Sequence, residues 1–592
     1  MQRADVVRRH YRAGDTKHRL RVAFAVAAVL FVLVIGRVAL LQTVQADSLR
    51  AAGLDQRTTE TVLKATRGTI FARDGGELAI SVPATTVTAN PKAVIDAVGT
   101  ARVLAQMLDL TPERQQSLAD SFIAKDKSFV YVARLVDDDI AQSVLDLGLP
   151  GVASIRESKR ILPSGDVGRS VVGRTDPDGL GTAGLEMQFN DLLTGVDGER
   201  VREHDRDGRS IPGAGATTTD PIPGDDMVLT LDRSMQFQVE QVLLKRVDEL
   251  IAKGGTAVVM DTSSGEIYSI ANVRRGDDGV ARVTSANLAA VEAYEPGSVA
   301  KVFSIAAALD VGVATPDTVL DVPGAMVFDK DTRYEFTITD AYPHATEPMS
   351  VRDILVHSSN IGTLLTAERV GVVRLGSYLD QFGFGHKTAL DFPGESAGIM
   401  KPAEKWEGTE RVSASFGYGF SATSLQLIAG VNAVANGGLY VAPKLVKGTI
   451  GADGKLLDSA PSATHRVLSE PTAATMIDLL TDVVCRGTAT RAQLADISTA
   501  GKTGTGYKVQ QNGTYQGDEG QRAYFATFVG FLPADNPQVT ILVSIDEPDP
   551  TTQDRFGGTA AAPVFADIAR TAIHELHITP TAGDTGCTNT GG

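Results

Sequence analysis

Hydrophobic and polar positions divide the chain into stretches of different period. Val22 to Leu41 is apolar except for Gly36 and Arg37, and a helix of that length spans about 30 Å, the thickness of a hydrocarbon core. Arg3, Arg8, Arg9, Arg12, Lys17, Arg19 and Arg21 precede it against only Asp5 and Asp15, which keeps residues 1–21 cytoplasmic and places everything after Leu41 outside. Arg37 lies near the outer end and can snorkel to the headgroups. A cleaved signal peptide is the competing reading, with Val44-Gln45-Ala46 as its site, but the run exceeds the roughly 7 to 15 residues of such a segment. Ala46 to Lys64 reads as a polar connector. From Ala65 to about Pro223, short strands (Thr69 to Phe71, Thr86 to Thr88, Phe129 to Val132) mix with amphipathic helices at Ala93 to Leu108 and Asp139 to Leu147. Gly208 to Gly224, rich in Gly, Thr, Pro and Asp, marks a domain boundary. Beyond it the pattern predicts a helix from Met235 to Leu250 and a hairpin of Thr256 to Met260 with Glu266 to Ala271. Helical patterns dominate through Leu480. Strands return at Thr499 to Tyr507, Tyr524 to Phe531 and Val539 to Ile545, before a last helix from Pro563 to Leu576. Strands at both ends with helices between them predict an α+β fold, an antiparallel sheet flanked by helices.

Composition narrows the function classes. The 592 residues suggest two or three domains, and a net charge of −16 with no basic stripe outside the N-terminus argues against nucleic acid as a partner. His574-Glu575-Leu576-His577 falls one residue short of the zinc spacing H-E-x-x-H, and Gly417-Tyr418-Gly419 lacks the third glycine of a dinucleotide fingerprint. No metal and no cofactor are implied. Cys485 and Cys587 are the only cysteines; an oxidising compartment and an even count favour a disulfide between them. The alternative is a small core residue at Cys485 and a free, exposed Cys587.

Chemistry concentrates in three places. Tyr294-Glu295-Pro296-Gly297-Ser298-Val299-Ala300-Lys301 runs into the apolar series Val302, Phe303, Ile305 to Leu309. Pro and Gly there mark a helix start, so Ser298 and Lys301 share one face of a helix apolar nearly all round, a hydroxyl touching an amine that desolvation keeps neutral. An N-cap serine with a surface lysine is the ordinary reading of such a pair taken alone. His357-Ser358-Ser359-Asn360 supplies a second hydroxyl and an amide. Lys502-Thr503-Gly504-Thr505 lies on a strand, where Gly504 would let a substrate backbone approach closely. Gly501-Lys502-Thr503 also mimics the end of a phosphate-binding loop, but the residue five before Gly501 is Asp496, not the Gly that loop requires.

S-x-x-K, S-x-N and K-T-G in this order resemble a class B penicillin-binding protein, a D,D-transpeptidase of the FtsI-like septal kind. The resemblance covers most of the chain. Arg67-Gly68-Thr69-Ile70-Phe71 through Arg73-Asp74-Gly75 is similar to the family's first box, with Ala72 in place of its usual Asp. Gly184-Leu185-Glu186, Leu229 to Asp232, Ser415 to Gly419 with Leu425-Gln426, and Gly557 to Ala560 with Pro563 to Phe565 are further family-like pieces. The resemblance implies a transmembrane helix over 22–41, a connector and elongated pedestal (dimerisation-type) domain over 42–223, a transpeptidase domain over 224–577 and a polar tail over 578–592. It implies a single-pass protein of the bacterial cell membrane that cross-links peptidoglycan stem peptides and is inhibited covalently by β-lactams, with a SEDS-type, FtsW-like glycosyltransferase and other division proteins as partners. In the implied mechanism neutral Lys301 takes the Ser298 proton, Ser298 attacks the carbonyl between two D-alanines, and Ser358 protonates the leaving D-alanine. Lys502 lowers the Lys301 pKa and draws in the terminal carboxylate with Thr503 and Thr505, while Asn360 binds the peptide amide. The backbone N–H groups of Ser298 and Thr505 hold the oxyanion. A serine β-lactamase would need neither anchor nor pedestal, a β-lactam sensor would carry further membrane spans or a protease module, and a dead division scaffold would not keep all three motifs. An elongation-type transpeptidase is the alternative within the family; the Phe416 to Gln426 and Arg67 to Gly75 segments favour the septal kind.

Overall fold

A computed structural model describes residues 16–55, 57–205, 211, 217–332, 335–510, 512–517, 520–580 and 587. These form two compact units. The first, residues 16–65 and 196–222, carries the helix Thr16–Gln42, which is long and apolar enough to cross a membrane. The helix Ala46–Asp55 follows, and then a small antiparallel sheet of Thr58–Leu63, Gly198–Glu203 and Thr217–Thr219. The Ala46 to Lys64 connector is thus a helix and a strand, the latter tied by Lys64 Nζ to Asp197 at 2.7 Å. Arg3, Arg8, Arg9 and Arg12, much of the Gly208 to Gly224 boundary and most of the C-terminal tail lie outside the described residues.

The second unit, residues 66–195 and 223 onward, crosses the boundary expected at residue 223. The reason is a shared sheet. Its strand order is Leu456–Asp458, Val446–Ile450, Asp226–Leu229, Ile70–Phe71, Glu77–Ala89, Val130–Val136, with Val152–Ile161 also on Glu77–Ala89. Strands of the expected pedestal therefore hydrogen-bond with strands of the expected catalytic half, in part through a parallel pair, Met227 beside Ile70. Side chains reinforce the join: Asn272 Nδ2 donates to Ser170 Oγ at 3.0 Å, and Glu240 accepts from Gly168 N at 3.1 Å. Within residues 66–195, Glu186, 1% exposed, takes Arg67 Nε at 2.6 Å and Arg160 Nε at 2.7 Å, both arginines being under a tenth exposed. Burial pushes the Glu240 carboxyl up to about 7, against the hydrogen bonds from Gln236 and Gly168. The helices Ala97–Met107 and Pro112–Ala124 pack a separate small core around Leu104, Phe122 and Val144.

The C-terminal half is built on a six-stranded antiparallel sheet ordered Ala281–Val283, Ile267–Arg275, Gly254–Asp261, Val539–Asp546, Tyr524–Leu532, Ala500–Tyr507. Its central strands are buried along nearly their whole length, as strands covered on both faces must be. On one face Gly255 lies against Leu243 and Val247 of the helix Arg233–Glu249. On the other, Thr540, paired with Met260, donates to Asn432 of the helix Ser424–Ala435 at 2.6 Å; Gly255 and Met260 differ by an odd step, so the two helices cover opposite faces. The sequence pattern missed several strand pairs within the stretch expected to be helical, among them Val446–Ile450 with Leu456–Asp458, Val319–Val322 with Glu347–Ser350, and Ala325–Phe328 with Phe336–Thr339. Val322-Pro323-Gly324 turns the chain between the last two, a signal masked by the helical stretches on either side.

Cys485 and Cys587 are bridged, their Cα atoms 5.2 Å apart across 102 residues of sequence. In the chain-entropy picture a loop of that length contributes about 4.7 kcal/mol. Unreduced, denatured protein is expected to titrate no free thiol and to yield a peptide linked through these residues; two titratable thiols would refute the bridge. Glu186→Ala leaves two arginines buried without their carboxylate and is expected to cost about 3–5 kcal/mol, measured by denaturant unfolding of the full chain.

Candidate active site

Ser298 sits in the 3₁₀ turn Gly297–Ala300, which leads directly into the helix Lys301–Val311. Gly297 has φ +51°, and a Cβ there would fall 2.6 Å from the Thr505 carbonyl oxygen, so the turn requires glycine to lie against the K-T-G strand. Gly504 meets the same turn from the other side. The space beside it is taken by Pro296 O and Val299 Cγ2, each 2.7 Å from where its Cβ would be. The close approach expected for a substrate at Gly504 is thus made by the Ser298 turn itself.

Lys301 is fully buried. Its amine reaches Ser358 O, Ser358 Oγ at 3.2 Å and Asn360 Oδ1 at 2.7 Å. Lys502, 1% exposed on the strand Ala500–Tyr507, reaches the same Ser358 Oγ at 3.0 Å and Thr503 O at 3.2 Å. Desolvation holds the Lys301 pKa well below the usual lysine value, with the Lys502 charge lowering it further against the opposing pull of Asp340. Burial brings Lys502 down to about 7. A neutral amine has two N–H donors and one lone pair. The Ser358 carbonyl and the Asn360 amide oxygen, which can only accept, take both donors of Lys301 and leave the lone pair for a hydroxyl. Among the described residues the Ser298 hydroxyl makes no hydrogen bond, so the direct Ser298 to Lys301 contact expected from the i, i+3 spacing is not formed. The amine donates instead to the Ser358 carbonyl and the Asn360 amide oxygen, and a hydroxyl-to-amine contact of this kind tightens when substrate is bound.

The S-x-N segment is held under strain. Ser358 has φ +59°, the left-handed region, between the helices Val351–Val356 and Asn360–Val370. Asn360 is occupied on both sides, its Nδ2 donating to Thr339 O at 2.8 Å while its Oδ1 holds Lys301. One amide proton is left for a ligand. Thr505 Oγ1 accepts weakly from Gly557 N at 3.4 Å.

Two residues absent from the sequence reading belong here. Asp340, at the end of the missed hairpin, accepts from Ser359 Oγ (2.6 Å), Asn360 N (2.5 Å) and Ile361 N (3.0 Å), with His344 Nε2 at 3.1 Å. Its carboxylate caps the helix that carries Asn360 and adds negative charge near the buried amines. Nothing local in the sequence marks a cap twenty residues from its helix. Thr488, just past the helix Glu470–Arg486 that ends beside Cys485, shares a hydrogen bond with Thr503 Oγ1 at 2.7 Å.

Comparison with known proteins gives the family. Residues 255–570 match the penicillin binding protein transpeptidase domain, and residues 62–229 the penicillin-binding protein dimerisation domain. Penicillin-binding protein PbpB of Mycolicibacterium smegmatis is 33% identical over 94% of this chain and 90% of its own length. The peptidoglycan D,D-transpeptidase FtsI of Escherichia coli is 30% identical over 96% and 94%. Among solved structures, penicillin-binding protein 3 from Mycobacterium tuberculosis complexed with aztreonam superposes with a TM-score of 0.68 at 28% identity, covering 89% of this chain and 99% of that one. A peptidoglycan synthetase from Bifidobacterium adolescentis gives 0.70 at 26%, with the same coverage. With both domain models matched in order and relatives of at least 30% identity aligned along nearly their whole length, the chain belongs to the class B penicillin-binding proteins.

Proposed function

We propose that the protein is a peptidoglycan D,D-transpeptidase acting through an acyl-enzyme on Ser298, held in the cell membrane by the helix Thr16–Gln42 with its N-terminus cytoplasmic, and serving septal wall synthesis. The observation that carries the chemistry is the pair of buried lysine amines meeting at one hydroxyl, Ser358 Oγ, beside the turn that bears Ser298. Two amines whose charge is opposed by burial are poised to exchange protons at neutral pH. Lys301, with its lone pair free, accepts the Ser298 proton as the Ser298 oxygen attacks the D-alanyl carbonyl. Ser358, in contact with both amines, passes a proton to the departing D-alanine. Lys502 in its charged form, with the Thr503 and Thr505 hydroxyls, receives the donor's terminal carboxylate. Backbone N–H groups of Ser298 and Thr505 stabilise the oxyanion. Asn360 combines two tasks, anchoring Lys301 through Oδ1 and offering its remaining amide proton to the stem peptide.

Relatives named peptidoglycan D,D-transpeptidases support the substrate, and the aztreonam and ampicillin complexes of penicillin-binding protein 3 support acylation by β-lactams. The septal role and an FtsW-like glycosyltransferase partner rest on the FtsI-like segments at Arg67 to Gly75 and Phe416 to Gln426.

Fluorescent penicillin is expected to label the full chain, with the adduct on Ser298 by mass spectrometry and no labelling of Ser298→Ala; an adduct on Ser358 or Ser304 would overturn the assignment. Lys301 is active when neutral, so acylation rises with pH through its depressed pKa. Lys502 is useful when charged, so donor capture falls as pH rises through about 7, giving a bell whose limbs belong to the coupled pair. Arginine stays charged. Lys301→Arg is therefore expected to abolish acylation. Lys502→Arg should flatten the alkaline limb and raise the donor KM by about ten- to hundredfold, one charge-assisted contact misplaced.

A further inference from the structure

A transpeptidase has a second substrate, an amine, and its recognition is not accounted for by the three motifs. A primary alkyl amine has a pKa of about 10.4 and arrives as an ammonium ion. The place that receives it needs negative charge, polarisable walls and a position beside the acyl group.

One carboxylate meets these conditions. Glu295 stands three residues before Ser298, and a Cβ on Gly506 of the K-T-G strand would fall 2.1 Å from its carbonyl oxygen. Its carboxylate accepts from Gly419 N at 2.9 Å and from the Tyr515 hydroxyl at 2.9 and 2.8 Å on its two oxygens. Among the described residues no lysine, arginine or histidine pairs with it, whereas Asp546 has Arg274 and Lys508, Glu547 has Lys253 and Lys508, and Glu292 has Arg274. Around it stand three tyrosine rings, Tyr418 with Tyr507 at 5.4 Å between centroids and Tyr515 at 6.4 Å from Tyr418 and 5.7 Å from Tyr507. Arg522 already lies over Tyr507, its guanidinium carbon 4.8 Å from the centroid, so the outer side of the cluster holds a cation of the chain's own. Tyr418 ties the cluster to the acyl site, its hydroxyl donating to Thr505 O at 3.0 Å.

We infer that Glu295, walled by Tyr418, Tyr507 and Tyr515, is the binding site for the ammonium group of the acceptor strand, with the Tyr515 hydroxyl occupying that place until the acceptor displaces it. A carboxylate between aromatic rings is a receptor for an alkylammonium ion. Tyr515, 37% exposed and hydrogen-bonded to both carboxylate oxygens, satisfies the anion in the manner of a bound N–H group. Burial raises the Glu295 pKa against the Gly419 and Tyr515 hydrogen bonds, which also suits it to take up the proton an amine must lose before attack. The inference rests on the acyl-transfer reading above and adds the acceptor side to it.

The test uses the full chain in detergent with an acyl-D-alanyl thioester as donor, at about pH 7.5, where Nα-acetyl-lysine amide is cationic and hydroxylamine is neutral. The quantity read is the ratio of aminolysis to hydrolysis within each variant, which divides out any loss of acylation. Glu295→Gln is expected to lower the ratio for the lysine amide about tenfold, the loss of one ionic contact, and to leave hydroxylamine unchanged. Tyr515→Phe keeps the ring and removes the competing hydroxyl, so it should raise the ratio for the lysine amide about threefold or more. Opposite signs, confined to the cationic acceptor, are not produced by a merely structural role. Equal changes for both acceptors, or a fall on Tyr515→Phe, would overturn the site. A wild-type chain that takes no penicillin label and consumes no thioester would instead overturn the acyl-transfer reading, and the acceptor site with it.

Discussion

Two amines buried against one hydroxyl set the terms for the catalytic half of the molecule. Taking a charged ammonium out of water costs several kcal/mol even after relaxation, and here Lys301 and Lys502 are both within contact of Ser358 Oγ. The structure offsets this in three ways. It lets the amines shed charge, it supplies Ser358 O, Asn360 Oδ1 and Thr503 O as acceptors, and it sets the Asp340 carboxylate nearby. Together these depend on four elements held at fixed distances: the helix Lys301–Val311, the strained 358–360 segment, the strand at the end of the six-stranded sheet and the hairpin that delivers Asp340. Displacing any of them leaves a buried amine without its acceptors, so the surrounding helices and sheet are the means of holding four short segments together.

The parts visible in the sequence were those whose signal is local. The Ser298 turn and its helix follow from Pro296-Gly297 and an apolar run, the Lys502 strand and its partners from alternation, and the disulfide pairing from there being only two cysteines. The parts not visible depend on distance. Asp340 reaches its helix across an intervening stretch of loop and helix, and Thr488 meets Thr503 because the helix before it ends where the K-T-G strand begins. The lysine spacing predicted proximity to Ser298 but not where the amine's hydrogen bonds would go, because two oxygens on another element, Ser358 O and Asn360 Oδ1, outcompete a lone hydroxyl. Gly504 illustrates the same limit. A glycine announces that something comes close, and only the fold says that it is the neighbouring turn.

The join between the N-terminal segment and the catalytic half is likewise a matter of long-range pairing. The Asn272 to Ser170 and Glu240 to Gly168 contacts are buried polar links across it, and such links hold two bodies in one relative position more strictly than apolar packing, because an unpaired member is costly. A domain boundary read from a Gly- and Pro-rich stretch assumes that chain continuity and structural continuity coincide. Here a strand from residues 446–450 completes a sheet begun at residue 70.

That shared sheet bears on how the protein comes into being. Chains are made N-terminus first, at about 5–20 residues per second, so the strand Asp226–Leu229 emerges well ahead of Val446–Ile450, its antiparallel neighbour. For roughly ten to forty seconds of synthesis at that pace, the growing chain presents a strand with one side unpaired, the condition that invites association between chains. Completion of that sheet therefore waits on arrival of the C-terminal half, and this edge is exposed while the polypeptide is still being made.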